Sequence, residues 1–224
     1  MEPRNELVET TKRTVIAVIT DSAGFFRNMP KSGGFADPLT FIIVMGAVAG
    51  ILQAVLSVVG LGMNVSFFTA LGMIVIMPLV VAIFSFIGAG FFFVIWKLLG
   101  SVQPYETAYR CVAYAAAITP VTTLLGVIPY LGAMIALLWM LWLMVTASTE
   151  VHHLESQKAW IVFGIIFGLL ILLNVNSQRV ARNAEQQMKE FNQQIEEMQD
   201  MTPEEAGEAM GEFLKGFNQG SGTE

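Results

Sequence analysis

Charged side chains are scarce in this chain and are absent from three long stretches. Only 13% of its 224 residues are Asp, Glu, Lys or Arg, about half of the share that is usual in soluble domains. No Asp, Glu, Lys, Arg or His occurs in residues 38–96, 111–149 or 159–178. One helical crossing of a bilayer takes about 20 residues, so these stretches predict two, two and one crossings. The predicted fold class is therefore all-α, a polytopic membrane helical bundle with five transmembrane helices.

The chain also lacks the residue patterns of several kinds of functional site. Its single cysteine, Cys111, excludes an internal disulfide, and its place in an apolar run indicates a packing role. A net charge of −6 argues against a strongly basic surface, so nucleic acid is not an expected partner. No nucleophile elbow, phosphate-binding loop, dinucleotide fingerprint or zinc-protease helix occurs. We therefore predict no enzyme activity, no catalytic residue, no cofactor and no metal.

Three segments are predicted along the chain. Residues 1–37 form a cytoplasmic N-terminal segment, in which apolar side chains at helical spacing predict an amphipathic helix over 5–29, lying on the membrane. Residues 38–176 form the five-span membrane domain. Residues 177–224 form an acidic amphipathic helical tail, with ten acidic and four basic side chains. The lipid bilayer is thus one expected partner, and the tail is expected to contact membrane or peripheral proteins.

The five spans are placed by the apolar runs and the turn residues between them. They cover about 39–59, 67–96, 107–125, 130–149 and 158–175. Asp37 and Pro38 are predicted as the N-cap and first helical residue of the first span. Pro78 and Pro120 predict kinks in the second and third spans.

Aromatic side chains next to basic ones are predicted to lie among the lipid headgroups. Phe25 and Phe26 precede Arg27 at the end of the N-terminal segment. Trp96 and Lys97 stand together at the end of the second span and are predicted as an interfacial anchor pair.

Two stretches of the tail predict helices. Apolar residues recur at close to heptad spacing in the first stretch, at Val180, Ala184, Met188, Phe191, Ile195 and Met198. Thr202, Pro203 and Glu205 then predict the start of a second helix, through an N-cap, a proline at its first position and a capping box.

Basic residues predict the orientation in the membrane. Five precede the first span: Arg4, Lys12, Arg13, Arg27 and Lys31. The turns after the first and third spans have none, which places the N-terminus in the cytoplasm. Five spans would put the tail on the other side, whereas Arg179 and Arg182 favour the cytoplasm, so the side of the tail stays open. The expected location is the bacterial inner (cytoplasmic) membrane.

The candidate functional residues lie in the two polar links that follow the second and fourth spans. They are Lys97, Tyr105, Glu106, Arg110, His152, His153 and Lys158. Glu106 and Arg110 are four residues apart and are predicted to pair at the membrane edge. His152 and His153 are metal-ligand types, but adjacent residues of a helix point about 100° apart. A solvated or headgroup-facing linker is therefore the favoured interpretation of the histidine pair.

Small residues at four-residue spacing allow helices to approach closely in lipid. Gly46 and Gly50 show this spacing in the first span, and Gly164 and Gly168 show it in the fifth. Packing within one chain is the favoured interpretation, and contact between copies in a homo-oligomer is the alternative.

Several features occur in order along the chain: Phe25-Phe26, Gly34 to Leu39 leading into the first span, Lys97-Leu98-Leu99-Gly100, Tyr105, Arg110, Tyr114 to Pro120, and His152 or His153 followed by Ser156 and Lys158. Together they resemble the Yip1-domain family. The resemblance covers about 20–175 and is greatest to prokaryotic members. It implies five spans with a cytoplasmic N-terminus. Eukaryotic members act in vesicle trafficking and contact prenylated small GTPases, but this sequence lacks their Asp-Leu-Tyr-Gly-type motif.

Two functions follow as hypotheses. The first is a non-enzymatic membrane protein of Yip1 type that scaffolds or organises the membrane and partner proteins. The alternative is a transporter or lipid-translocating protein that uses the polar faces of the first four spans. The spans contain no Asp, Glu, Lys, Arg or His at their centres, which weakens a coupled transporter but leaves a passive pathway for lipid.

Overall fold

The computed structural model describes residues 3–61 and 67–199, and these residues form helices and connecting turns without any strand. The α-helices are α1 (Pro3–Thr20), α2 (Ser22–Asn28), α3 (Ala36–Val58), α4 (Phe67–Leu98), α5 (Tyr105–Ala115), α6 (Thr119–Leu125), α7 (Leu131–Glu150) and α8 (Ser156–Gln199). A short 3₁₀ helix, Ala116–Ile118, joins α5 to α6. The predicted all-α membrane fold class is confirmed.

Four helices in the described residues are long and apolar enough to cross a membrane: Ala36–Val58, Ile74–Leu98, Leu131–Glu150 and Ser156–Gln193. The predicted count of five spans therefore differs by one from the number of such helices. The missing one is the third, predicted over 107–125, which is divided into α5, the 3₁₀ helix and α6.

The division of the third predicted span has a local cause. Pro120 has no N–H to donate, and its ring clashes with the carbonyl of the residue four positions earlier, which is Ala116. The α-helix ends at Ala115, tightens into the 3₁₀ helix, and restarts at Thr119 with the proline in its first turn. The kink predicted at Pro120 is thus a break. Pro78, in contrast, lies inside α4 without ending it.

Helices α3 and α4 pack side by side, and Gly46 lies at their contact. A Cβ atom at Gly46 would be 3.2 Å from Cα of Pro78, so the missing side chain lets the two backbones approach. Gly46 therefore serves packing within the chain. A Cβ at Gly164 or Gly168 would meet nothing within 4 Å, so these two glycines serve no such contact here.

The N-terminal helices pack on the membrane domain through apolar side chains. Val18 and Phe26 are fully buried, and Met29 is nearly so. Phe25 contacts Tyr114 edge-on, with ring centroids 5.4 Å apart. Phe25 and Phe26 thus contact protein side chains, and their position at headgroup depth stays a prediction. Trp96 is also fully buried, which corrects its predicted role as an interfacial anchor.

The start of α3 differs by two residues from the predicted one. The helix begins at Ala36, and its N-cap is Phe35, which makes no side-chain capping bond. Asp37 and Pro38 lie in the first turn, so the predicted cap is wrong. A proline is tolerated throughout a first turn, since its missing N–H would have no partner there. The carboxylate of Asp37 therefore does not cap α3.

Residues 174–199 belong to a second unit. In this unit α8 continues as a helix, with an ion pair of 3.0 Å between Lys189 and Glu185. Val180 and Met188, two predicted heptad positions, are each 60% exposed. The second tail helix, predicted from Thr202, lies outside the described residues.

Candidate functional site

One predicted candidate, His152, lies in a buried cluster that connects the two polar links. This link cluster consists of Trp96 at the end of α4, Ser101 in the first link, Ser148 near the end of α7, and His152 in the second link. The Trp96 Nε1–H donates to Ser148 Oγ at 2.7 Å, and Ser101 Oγ shares a hydrogen bond of 2.7 Å with Nδ1 of His152. The cluster therefore ties the end of α4 to both links.

His152 is held in an apolar setting. Only 5% of the residue is exposed, and its ring stacks on the Trp96 indole. Burial is the main cause that lowers the pKa of His152 to about 3, and the positive charges of His153, Lys97 and Lys31 lower it further. His152 is therefore neutral at pH 7. The prediction of a solvated linker is wrong for His152, because Trp96 and α7 cover it.

One atom of the link cluster has no partner. Nε2 of His152 is buried and forms no hydrogen bond with any residue that the structure describes. Whichever ring nitrogen bears the proton, Nε2 stays unpaired. Protonation would add a charge and a second N–H in a place with no acceptor, so the cluster requires neutral histidine.

A second set of side chains, from α5, fixes the loop before α3. We call Glu106, Thr107 and Arg110 the loop clamp. Thr107 Oγ1 donates to the Lys31 carbonyl at 2.8 Å. The Gly34 N–H donates to Glu106 at 2.7 Å, and Arg110 Nη2 donates to the Gly34 carbonyl at 2.7 Å.

The clamp accounts for the glycines in the loop. Gly33 and Gly34 have φ of 124° and 84°, a region that glycine adopts without strain. A Cβ at Gly33 would also lie 3.2 Å from Arg110 Nη2. The predicted ion pair is present as well, with Arg110 Nε 3.5 Å from Glu106. Arg110 is only 2% exposed, so the clamp buries a full positive charge.

Tyr105 connects α5 to α4. Its hydroxyl donates to the Phe86 carbonyl at 2.8 Å, and its ring lies edge-on to Phe93, with centroids 5.6 Å apart. Tyr105 therefore holds the start of α5 against α4.

The remaining predicted site residues are exposed. Lys97 lies over the Phe93 ring, with Nζ 5.5 Å from its centroid. Lys158 pairs with Glu155 at 3.0 Å. His153 has a positive φ of 53° and is exposed, outside the link cluster. The seven predicted residues thus divide into a buried or half-buried group that is hydrogen-bonded to other segments and an exposed group.

The same end of the protein contains contacts that the sequence patterns did not predict. Arg27 on α2 forms a hydrogen-bonded ion pair of 2.7 Å with Glu150 at the end of α7. These residues are 123 positions apart, and no local pattern signals a contact at such a distance. Ser101 and Ser148 were missed too, since isolated serines are ordinary in links and helices.

The residues of this site connect separate segments of the chain through hydrogen bonds and ion pairs. In the described residues, no group of three His, Cys, Asp or Glu side chains could hold a metal ion. Most polar side-chain atoms of the link cluster and of the loop clamp bond to protein atoms, and among the described residues the buried exceptions are Nε2 of His152 and Nε of Arg110. The arrangement joins the N-terminal segment and both links into one rigid end of the domain.

Comparison with known proteins gives one match. The family model of the Yip1 domain matches residues 16–175, well over half of the chain. No curated protein and no solved structure shows a significant match. The matched range includes the link cluster, the loop clamp and most of the residues in the four helices that are long enough to span a membrane.

Proposed function

We propose that this chain, which belongs to the Yip1 domain family, is a non-enzymatic scaffold that organises the membrane and partner proteins. That it is an integral membrane protein follows from its family and from its four apolar helices. The scaffold role is our proposal, and it rests mainly on the cross-linked end of the domain.

Three separate segments are fixed to one another at that end. The loop clamp holds residues 31–34, the link cluster holds Ser101 and His152, and the Arg27–Glu150 pair holds α2. Docking benefits from a surface that is already ordered, because less conformational entropy is lost on binding. A rigid end suits a docking platform better than a gate.

Exposed side chains give this end a surface that a partner could contact. Leu98 at the end of α4 and Val102 in the first link are 83% and 86% exposed, the highest values among the large apolar side chains that the structure describes. Lys97 is exposed beside them, and Lys158 is exposed at the start of α8. Apolar side chains next to basic ones suit an acidic, partly apolar protein partner or the headgroup layer.

The polar residues inside the spans favour the scaffold over the transporter. Ser57 donates to the Gln53 carbonyl at 2.9 Å, and Thr123 donates to the Thr119 carbonyl at 2.8 Å. Ser85 bonds to Ala82 and to Tyr109. Hydroxyls that bond to their own helix or to a neighbouring side chain are less available to line a path for a polar substrate.

We further propose that the N-terminus and the rigid end face the cytoplasm of a bacterium, from the inner membrane. The basic residues before α3 support this orientation. We also propose that the tail contacts membrane or peripheral proteins and that copies of this chain associate with one another.

The test uses the full-length protein in native membranes. A photo-crosslinking amino acid at Val102 is expected to give a discrete protein adduct, which K97E weakens. The same group at Ile83, which is 62% exposed on α4, serves as the lipid-facing control. Purified protein in liposomes is expected to show neither solute flux nor lipid scrambling above empty liposomes. Adducts that are equal at both positions, or robust scrambling, would overturn the proposal in favour of transport.

A further inference from the structure

A cavity of about 220 Å³ lies between α1, the start of α3 and α5. We call it the threonine pocket, because four of its eight lining residues are threonines. The polar residues that line it are Thr10, Thr11, Thr14, Asp37, Thr40 and Tyr114. It is separate from the link cluster and the loop clamp, and neither the family match nor the proposed function assigns it a role.

The threonine hydroxyls of this pocket are unpaired. Within the described residues, Thr10, Thr11, Thr14 and Thr40 form no hydrogen bond through their side chains. Helical hydroxyls elsewhere in the chain bond back to their own helix: Thr20 to Ile16, Ser57 to Gln53, Thr123 to Thr119 and Thr146 to Trp142. Four threonines whose hydroxyls have bonding capacity available line one cavity, which suits a polar ligand.

The charge of the lining defines the ligand. Asp37 is the only charged residue in the lining, and it forms no ion pair with any residue that the structure describes. It also does not cap α3. The Tyr114 and Phe41 rings form one wall, with centroids 5.3 Å apart. A carboxylate beside aromatic rings attracts a cation and repels an anion.

The form of the cation follows from the acceptors. A primary ammonium has three N–H donors, which the carboxylate and the hydroxyl oxygens can accept. A quaternary ammonium has none, so it could form no hydrogen bond with the carboxylate or with the hydroxyl oxygens. The pocket therefore favours a primary amine over a trimethylated one.

The position of the pocket indicates the source of that amine. Asp37 and Thr40 lie in the first two turns of α3, which is one of the helices able to span the membrane. The end of a span lies at headgroup depth. We propose that the threonine pocket binds the ammonium headgroup of an ethanolamine-type phospholipid. The inference does not depend on the scaffold role, because it concerns a different part of the protein.

The test compares lipid classes on the full-length protein. Detergent-solubilised protein is titrated with ethanolamine, choline and glycerol phospholipids of identical acyl chains, and bound lipid is counted by native mass spectrometry. We expect the ethanolamine lipid to bind most tightly. Equal binding of the three, or preference for the anionic glycerol lipid, would overturn the assignment. Displacement by free ethanolamine at concentrations equal to those of the lipid would overturn the lipid as occupant.

Two variants test the pocket itself. Asp37→Asn removes the charge at nearly constant volume, and it is expected to weaken ethanolamine-lipid binding about tenfold, as for loss of a charge-assisted hydrogen bond. Thr14→Val removes one hydroxyl and keeps the shape, so a smaller loss is expected. The matched controls are E9Q, an exposed carboxylate elsewhere on α1, and T20V, whose hydroxyl bonds to its own helix. Unchanged binding in both pocket variants, or equal losses in the controls, would overturn the site.

Discussion

The imidazole of His152 lies on the indole of Trp96, with ring centroids 4.0 Å apart and planes inclined by 19°. Each ring is also fixed from its edge, the indole by Ser148 and the imidazole by Ser101. The stack joins the end of α4 to the link after α7, and it contains a titratable group with an unpaired nitrogen. The consequences concern the stability of this end of the protein.

Stability is expected to fall as the pH drops below about 6.5. His152 has a pKa of about 3 in the folded protein and about 6.5 when unfolded, so the unfolded chain binds the extra proton between these values. The free energy of unfolding is therefore highest above pH 6.5, and it decreases as the pH falls towards 3. Between pH 7 and pH 5 the loss is about 2 kcal/mol. Thermal melting of the purified protein in detergent, at pH 7 and at pH 5, measures it.

Substitution of each histidine separates this effect from general acid sensitivity. His152→Phe keeps a ring on Trp96 and removes the titration, so the pH dependence should decrease by most of that amount. His153→Asn removes an exposed imidazole and suits the positive φ at that position, so it should leave the pH dependence unchanged. A pH profile that is the same in H152F and in the wild type would show that another group is responsible.

Loss of Arg110 is expected to destabilise the protein by about 1.5–3 kcal/mol, because it removes the hydrogen bond that this buried, charged donor forms with the Gly34 carbonyl. Arg110→Met keeps much of the side-chain volume, so the effect reports the lost bond and ion pair. Lys97→Met, an exposed basic residue nearby, should change stability by less than about 0.5 kcal/mol. Thermal melting in detergent compares the two. Equal melting temperatures for R110M and wild type would show that the clamp contributes nothing to stability.

The sequence predicts the spans better than the contacts at their ends. Charge-free runs locate apolar helices because bilayer thickness sets a minimum length for a helix, and this length is visible in one dimension. The break before Pro120 was predicted only as a kink, since the extent of a proline's effect depends on what the freed carbonyls contact.

The contacts around the two polar links were predicted only in part. The Glu106–Arg110 pair is local, at four-residue spacing, and was predicted correctly. Trp96 was expected among lipid headgroups, but it stacks on His152, because a tryptophan at a span end can pack on lipid or on protein and only the fold decides between them. The Arg27–Glu150 pair joins two helices far apart in sequence, so no periodicity could reveal it.

Reversal of the charge at Arg27 is expected to loosen the N-terminal segment. In R27E the carboxylate of Glu150 would face a second carboxylate across a contact that is 2.7 Å in the native protein, so this variant should speed trypsin cleavage after Lys31. The double variant R27E/E150R restores the opposite charges and should restore slow cleavage. Arg13→Glu on α1 is the matched control. Because Arg27 is exposed, the difference should shrink in about 0.5 M salt. Fast cleavage that persists in the double variant would mean that the pair does not hold α2.

A larger side chain should destabilise the protein at Gly46 but not at Gly168. At Gly46 a Cβ would already lie 3.2 Å from the α4 backbone, so Gly46→Leu forces α3 and α4 apart and should cost about 1–3 kcal/mol. At Gly168 nothing lies within 4 Å, so Gly168→Leu should leave the melting temperature of a monomer nearly unchanged. Melting in detergent, together with the mass of the purified particle from light scattering, measures both effects. Equal destabilisation by the two substitutions would contradict the within-chain role of Gly46. A smaller particle for G168L than for the wild type would show that α8 contacts a second copy, because a leucine there obstructs only a neighbour outside this chain.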